Sequence, residues 1–95
     1  MDFGQAIKAL KEGKRVSREG WNGKGMFLIL AGGYKVPMEN LRDGGPIDGA
    51  FLLSRGLEEM EILPHIDMWT AQNTYLSGWL ASQSDMLADD WSIVK

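Results

Sequence analysis

Phe3-Gly4-Gln5-Ala6-Ile7-Lys8-Ala9-Leu10-Lys11-Glu12-Gly13, followed by Lys14-Arg15-Val16-Ser17-Arg18, is the stretch in which the apolar period changes. That change decides the fold. Phe3, Ala6, Ile7 and Leu10 recur at i, i+3, i+4 and i+7, which is one face of a helix. Asp2 is placed to cap it, and Gln5 three residues later approaches a capping box. Lys8 and Lys11 face water, with Lys11 near the negative end of the helix. Gly13 supplies the left-handed stop. A helix of about 9 or 10 residues does not hold in water by itself, so it must pack on something.

Working outward, the rest of the chain reads mainly as strands. Arg15-Val16-Ser17-Arg18 is a short strand. Trp21-Asn22-Gly23-Lys24-Gly25 contains Asn-Gly, a strong signal for a two-residue hairpin. Met26-Phe27-Leu28-Ile29-Leu30 is a continuous apolar run of strand length, which predicts the central strand. Gly32-Gly33 is a turn, and Tyr34-Lys35-Val36 a short strand ended by Pro37. Residues 38–49 are rich in turn formers and read as a loop. Ala50-Phe51-Leu52-Leu53 reads as a strand. Leu57 to Leu63 fits either a helical turn or a strand. Pro64 to Trp69 reads as extended, with Ile66 and Met68 on one face and His65, Asp67 and Trp69 on the other. Ala71-Gln72-Asn73-Thr74 is a turn. Tyr75 to Ala81 reads as a strand with Gly78 inside it, a bulge or a close backbone approach. Ser84 can cap a short helical turn over 85–88, and Trp91-Ser92-Ile93-Val94 is a final strand. The sequence has no internal repeat and no low-complexity segment. The expected class is α+β: one small domain over 1–95, with an N-terminal helix packed on a mostly antiparallel sheet.

Composition narrows the chemistry. At 95 residues and 44% hydrophobic content the chain suits one small folded domain rather than a disordered one. A domain of this size buries only about 60% of its unfolded surface, so subunit association would add needed stability. There is no cysteine and one histidine, His65. Disulfides, thiolate catalysis, Cys-based zinc sites and a multi-His metal site are therefore outside its reach, and no metal or other cofactor is expected. No apolar run approaches membrane-spanning length. Met1-Asp2-Phe3-Gly4 lacks the look of a secretion signal, so the expected location is the cytoplasm. The net charge is −3, unevenly spread. Residues 1–55 carry nine Lys/Arg against six acids, and residues 56–95 carry Lys95 against seven acids. A general nucleic-acid binder would be basic; any anionic ligand must find its cations in the first half.

Enzyme readings find little support. Ser-His-Asp chemistry would need His65 to activate a serine, and no Gly-x-Ser-x-Gly elbow exists. Asp67 lies on the same strand face as His65, which suits a structural hydrogen bond. Gly23-Lys24-Gly25 does not complete a phosphate loop, and Gly23-x-Gly25 does not complete a dinucleotide fingerprint. Glu58-Glu59 and Asp89-Asp90 lack calcium-loop spacing and read as solvated surface.

Aromatic residues are more informative. Four tryptophans occur in the chain. Trp21 stands at a turn beside Arg18, Asn22 and Lys24. That group combines a stacking face, an amide that can read a base or ribose edge, and cations for phosphate. The alternative use of the tryptophans is core packing. Trp79 follows Gly78. Ser82-Gln83-Ser84-Asp85 is a polar cluster at a strand-to-helix turn, suited to an anion or to an ordinary helix cap.

Two strings carry a resemblance. One runs from Phe3-Gly4-Gln5-Ala6 through Arg18-Glu19-Gly20-Trp21-Asn22-Gly23-Lys24-Gly25-Met26-Phe27. The other is Pro64-His65-Ile66-Asp67-Met68 followed by Gly78-Trp79-Leu80-Ala81-Ser82-Gln83-Ser84-Asp85-Met86-Leu87-Ala88-Asp89-Asp90-Trp91. Together they resemble the second family of Thoeris anti-defence proteins, short phage and prophage proteins. Tyr34 to Leu63 matches less clearly, and Trp69 stands where the resemblance leads one to expect a polar residue.

The resemblance implies a non-catalytic sponge. It would bind and sequester a cyclic nucleotide immune signal, glyco-cyclic ADP-ribose or a cyclic dinucleotide, in the cytoplasm of the infected bacterium. It also implies a homotetramer with ligand sites between subunits and no role for a nucleic-acid polymer or membrane. On that footing Trp21 and Trp79 are the stacking or wall residues. Arg18 and Lys24 are the phosphate contacts, and Asn22, Ser82, Gln83 and Asp85 read base or ribose. The competing readings are a protein-interaction module and a small phosphodiesterase acting on the same ligands.

Overall fold

Asp2 starts the first helix, as its residue type favours. Its side chain accepts from the Gln5 amide at 2.8 Å, and the Gln5 side chain accepts from the Asp2 amide at 2.9 Å. This is a complete capping box. Gly13 takes a left-handed conformation (φ +84°) just beyond the helix.

The computed structural model describes Met1 to Lys95. In chain order the elements are α1 (Phe3–Lys11), β1 (Arg15–Arg18), β2 (Phe27–Ala31), β3 (Tyr34–Pro37), a 3-10 turn (Met38–Asn40), α2 (Gly49–Ser54), β4 (Glu59–Ile62), β5 (His65–Trp69), β6 (Tyr75–Leu76), α3 (Gln83–Leu87) and β7 (Trp91–Val94). The architecture is α+β. The chain divides into two compact units, one of Met1–Ala31 with His65–Lys95 and one of Gly32–Pro64. No helix is long and apolar enough to cross a membrane.

The first unit holds a five-stranded antiparallel sheet in the order β6-β5-β2-β1-β7. The apolar run Phe27–Ala31 is its central strand. Val16 pairs with Leu28 and Leu28 with Met68, so these three share one face. They form the core with Trp91 and with Ala6, Ala9 and Leu10 of α1. Small alanines on the inner stripe of α1 let the helix approach the sheet closely. The second unit is the β3–β4 hairpin, paired from Tyr34↔Ile62 to Pro37↔Glu59, with α2. Leu52 is its buried anchor.

Several local expectations are corrected. Ala50 to Leu53 lies in α2, not in a strand: the Asp48 side chain accepts from the Phe51 amide at 3.0 Å and opens a helix. A run of four apolar residues has no period of its own, so the cap decides. The 38–49 loop contains the 3-10 turn. Over Leu57 to Leu63 alternation wins: Glu59 and Glu61 are exposed, Met60 and Ile62 half-buried. Asn22-Gly23 makes no two-residue hairpin. Of residues 19–26 only Gly25 has positive φ (+78°), whereas that turn type needs it at both central positions. Gly23 is instead packed where a Cβ would meet Met26 Sδ at 2.5 Å and Ala71 Cβ at 2.7 Å. The strand expected from Tyr75 to Ala81 stops at Leu76, and Gly78 turns the chain at φ +84°. The cap of α3 is Ser82 rather than Ser84.

Leu28 is fully buried and Leu53 is 62% exposed. Leu28→Ala should cost about 3 kcal/mol through lost burial and the cavity left behind. Leu53→Ala should stay within about 0.5 kcal/mol. Urea unfolding midpoints of the two variants check the contrast.

Candidate functional site

Arg18 ends β1 with its side chain on the face that carries Val16, and its strand neighbour across the pairing is Trp91 of β7. Its guanidinium Nε donates to Asp90 Oδ1 at 2.9 Å and Nη1 to Asp85 Oδ1 at 2.8 Å. Nη2 donates in neither bond. Asp85 is the third residue of α3 and completes a capping box there. Its amide donates to the Ser82 hydroxyl, and its Oδ2 accepts from the Ser82 amide, both at 3.1 Å. The same carboxylate accepts from Trp21 Nε1 at 3.3 Å, and the Asp85 carbonyl accepts from Trp91 Nε1 at 2.9 Å. Asp85 thus orients two indoles while it caps a helix.

Asp90 fastens the other end. Its Oδ2 accepts from the Gly20 amide at 2.7 Å, and a Cβ at Gly20 would stand 2.8 Å from that oxygen. Glycine is required here by close approach. The Trp21 loop is therefore tied at its base to the residue just before β7.

The rings gather around this network. Trp21 and Trp79 stand 6.5 Å apart at 63°, Trp21 and Trp91 5.5 Å apart at 81°, and Trp79 and Trp91 6.2 Å apart at 87°. Phe3 touches Trp79 and Trp91. Edge-to-face contacts of this kind are favourable beyond area burial. Trp91 is buried; Trp21 and Trp79 are half-buried, each keeping part of its surface available.

The electrostatics follow from these contacts. Burial pushes the Asp85 carboxyl up, but the bonds from Arg18, Ser82 and Trp21 outweigh it and hold it at about 2. The Arg18 bond, with help from the Gly20 amide, lowers Asp90 despite desolvation. Asp90 and Asp85 in turn raise Arg18 above its ordinary value.

A second polar knot lies on β5. Asp67 is buried, as its partners permit: it accepts from the Tyr75 hydroxyl, from the Gly78 amide at 2.6 Å, and lies 3.3 Å from His65 Nε2. Burial raises this carboxyl, and the bonds from Tyr75 and Gly78 more than reverse it. This clasp fixes the turn that leads to Trp79, whose amide donates to the Ile66 carbonyl at 2.7 Å.

Of the residues singled out from the sequence, the structure joins Arg18, Trp21, Trp79, Ser82 and Asp85 by bonds or ring contacts. Asn22, Lys24 and Gln83 are exposed, the first two on the 19–26 loop and the third at the start of α3. Asp90, Trp91 and Phe3 complete the cluster and were not singled out. Asp90 reads as surface in the sequence; only the β1–β7 pairing, which sets Trp91 opposite Arg18, gives it a partner.

The chain matches the model of the Thoeris anti-defense 2-like domain over residues 1–94. The chain belongs to this family. It is also similar to Thoeris anti-defense 2 of Bacillus phage SP01, at 38% identity over 94 residues, which are 99% of this chain and 94% of that protein. Family membership gives the chain an anti-defence role. The Trp21 loop, Trp79 and the cap of α3 all fall within the matched residues.

Asp85, Asp90 and Asp67 are all held below the ordinary carboxyl value in the folded state. The stability they give is fully present above the unfolded value, near 4. It falls as pH drops from about 5 towards 2. Unfolding midpoints measured across that range should decline, and Asp85→Asn should flatten the decline. Asp85→Ala should also cost about 1 kcal/mol or more at neutral pH, because Arg18 and the Ser82 amide both lose an acceptor.

Proposed function

We propose that this chain acts against defence as a sponge. It binds a cyclic nucleotide immune signal, glyco-cyclic ADP-ribose or a cyclic dinucleotide, and holds it without cleavage. The observation that carries the reading is the pair Trp21 and Trp79, two half-buried indoles fixed edge-to-face. A base has an aromatic face to stack on. Asn22, Ser82 and Gln83 offer hydrogen-bonding groups for base or ribose, with Asp85 turned inward as their anchor. Lys24 is the exposed cation for a phosphate, and Arg18 contributes through Nη2.

Sequestration needs affinity rather than turnover. A nanomolar complex requires about −12 kcal/mol. Stacking gives roughly 1–3 kcal/mol per base, and charge-assisted hydrogen bonds about 1.5–3 kcal/mol each. The Asp85–Arg18–Asp90 network holds the site in shape beforehand, so less binding energy is lost to ordering.

A homo-oligomer, a tetramer with ligand sites between subunits, belongs to the proposal. Leu80, Met86 and Leu87 support it: they lie next to Trp79 and Asp85 in sequence and are 92%, 48% and 74% exposed. Apolar surface of that kind calls for a partner. The proposed place of action is the cytoplasm of the infected cell.

A thermal-shift screen tests the reading. The probes are glyco-cyclic ADP-ribose isomers, cyclic dinucleotides, linear ADP-ribose and NAD. A ligand at 100 times its Kd adds about 2.7 kcal/mol, a shift of several degrees. We expect one cyclic class to shift the transition. Lys24→Ala, an exposed change, should weaken that ligand about tenfold without altering the ligand-free midpoint. A stable assembly that shifts with none of the probes would make the chain an interaction module instead.

A further inference from the structure

Trp79 enters the aromatic cluster from a thinly held stretch of chain. β6 is two residues long, and Tyr75 and Leu76 are about half exposed. Between Leu76 and the cap of α3 at Ser82 the backbone has no regular structure. Two neighbouring amides of that stretch are gripped by two neighbouring residues of β5. Gly78 N–H donates to Asp67 Oδ1 at 2.6 Å, and Trp79 N–H donates to the Ile66 carbonyl at 2.7 Å. Gly78 stands at φ +84°, a conformation that glycine adopts without a Cβ penalty.

Asp67 grips from the far side of the sheet. Leu28 and Met68 pair on the core face, so Ile29 and Asp67, one step along each strand, pair on the other. Tyr75 pairs with Trp69, two residues beyond Asp67, and shares that outer face. Its hydroxyl donates to Asp67 Oδ2, and His65 Nε2 lies 3.3 Å from the same oxygen. The Asp67 side chain is 2% exposed. A carboxylate buried to that degree cannot exchange a lost donor for water. Its two oxygens turn together, so the donor on Oδ2 decides where Oδ1 points. With the hydroxyl gone, the group is free to turn towards His65 and away from Gly78.

We propose that Tyr75 is a positioning residue for Trp79. Its hydroxyl sets the rotation of the Asp67 carboxylate, the carboxylate sets Gly78, and Gly78 sets where the indole enters the cluster. The effect crosses the sheet through the backbone, from the outer face to the core face. The consequence for a ligand rests on the sponge reading. There Trp79 is a wall for a base, and a binding constellation tolerates displacements of only about 0.5 Å. The Tyr75 hydroxyl is then a determinant of affinity, although it lies on the opposite face of the sheet from the ligand.

The test compares the full chain with Tyr75→Phe, which removes one hydroxyl and keeps the ring. The indole N–H resonances in a ¹H–¹⁵N spectrum of ligand-free protein report each tryptophan. Trp79 should shift or broaden well below the unfolding midpoint, while Trp91 stays in place. Trp69 pairs with residue 75 and is not diagnostic. Gly78→Ala should reproduce the Trp79 change by a different route, since a Cβ there meets nothing within 4 Å but strains the positive φ. Leu52→Ala, in the other compact unit, is the control for lost stability: it should lower the midpoint and leave Trp79 unmoved. With glyco-cyclic ADP-ribose as the probe, Tyr75→Phe should raise the Kd about fivefold or more. An unmoved Trp79 resonance in Tyr75→Phe would overturn the proposal. So would a moved resonance with an unchanged Kd, or an equal movement in Leu52→Ala. If the wild-type chain fails to bind the probe, the sponge reading falls, and the Trp79 resonance alone upholds or overturns the positioning.

Discussion

The guanidinium of Arg18 sits between two carboxylates that lie 67 and 72 residues further along the chain. Much of the first unit is organised by that clamp. It joins the end of β1 to the cap of α3 and to the start of β7. Through Asp90 it holds Gly20, and through Asp85 it holds the Trp21 indole. The other acid–base pairs differ in kind. Lys14–Glu12 and Lys35–Glu59 join half-exposed side chains at 3.6 and 3.4 Å, and pairs of that type contribute little. The Arg18 side chain is 18% exposed and bonded at 2.8 and 2.9 Å, a geometry in which the planar fork matters and lysine is no substitute.

The clamp also explains how a small chain keeps three tryptophans in one place. Apolar burial alone would collapse them into an unspecific cluster. Each indole is instead given a direction: Trp21 and Trp91 donate to different oxygens of Asp85, and the Trp79 backbone is fixed to β5. Trp91 then fills the core, while Trp21 and Trp79 remain half-exposed. An aromatic surface is left standing on a core that would otherwise have absorbed it.

What the sequence revealed depended on whether the signal was local. The Asp2 capping box, the stripe of Ala6 and Leu10, the central strand and the His65–Asp67 pair are all set by residues within a few positions of each other. Each of these was legible. The Trp21 loop and the Ser82–Asp85 turn were also legible as polar, aromatic-bearing turns. Asp90 was not, because its role depends on strand pairing over 72 residues. The helix at Gly49–Ser54 was hidden because Asp48 acts through its cap and not through the apolar run. Asn22-Gly23 misled because packing against Met26 and Ala71, with the tie to Asp90, overrides the intrinsic turn preference.

The proposed sponge would work by holding a signal rather than transforming it. The polar groups with the strongest interactions, Asp85, Asp90 and Asp67, are committed to the scaffold. What remains for a ligand is aromatic surface, exposed amides and cations. The most direct test is to mix the protein with glyco-cyclic ADP-ribose, remove unbound ligand, denature the complex by heat and weigh what is released by mass spectrometry. The account predicts release of the ligand at its original mass after prolonged incubation. Release of a product one water heavier, or of cleaved fragments, would contradict it.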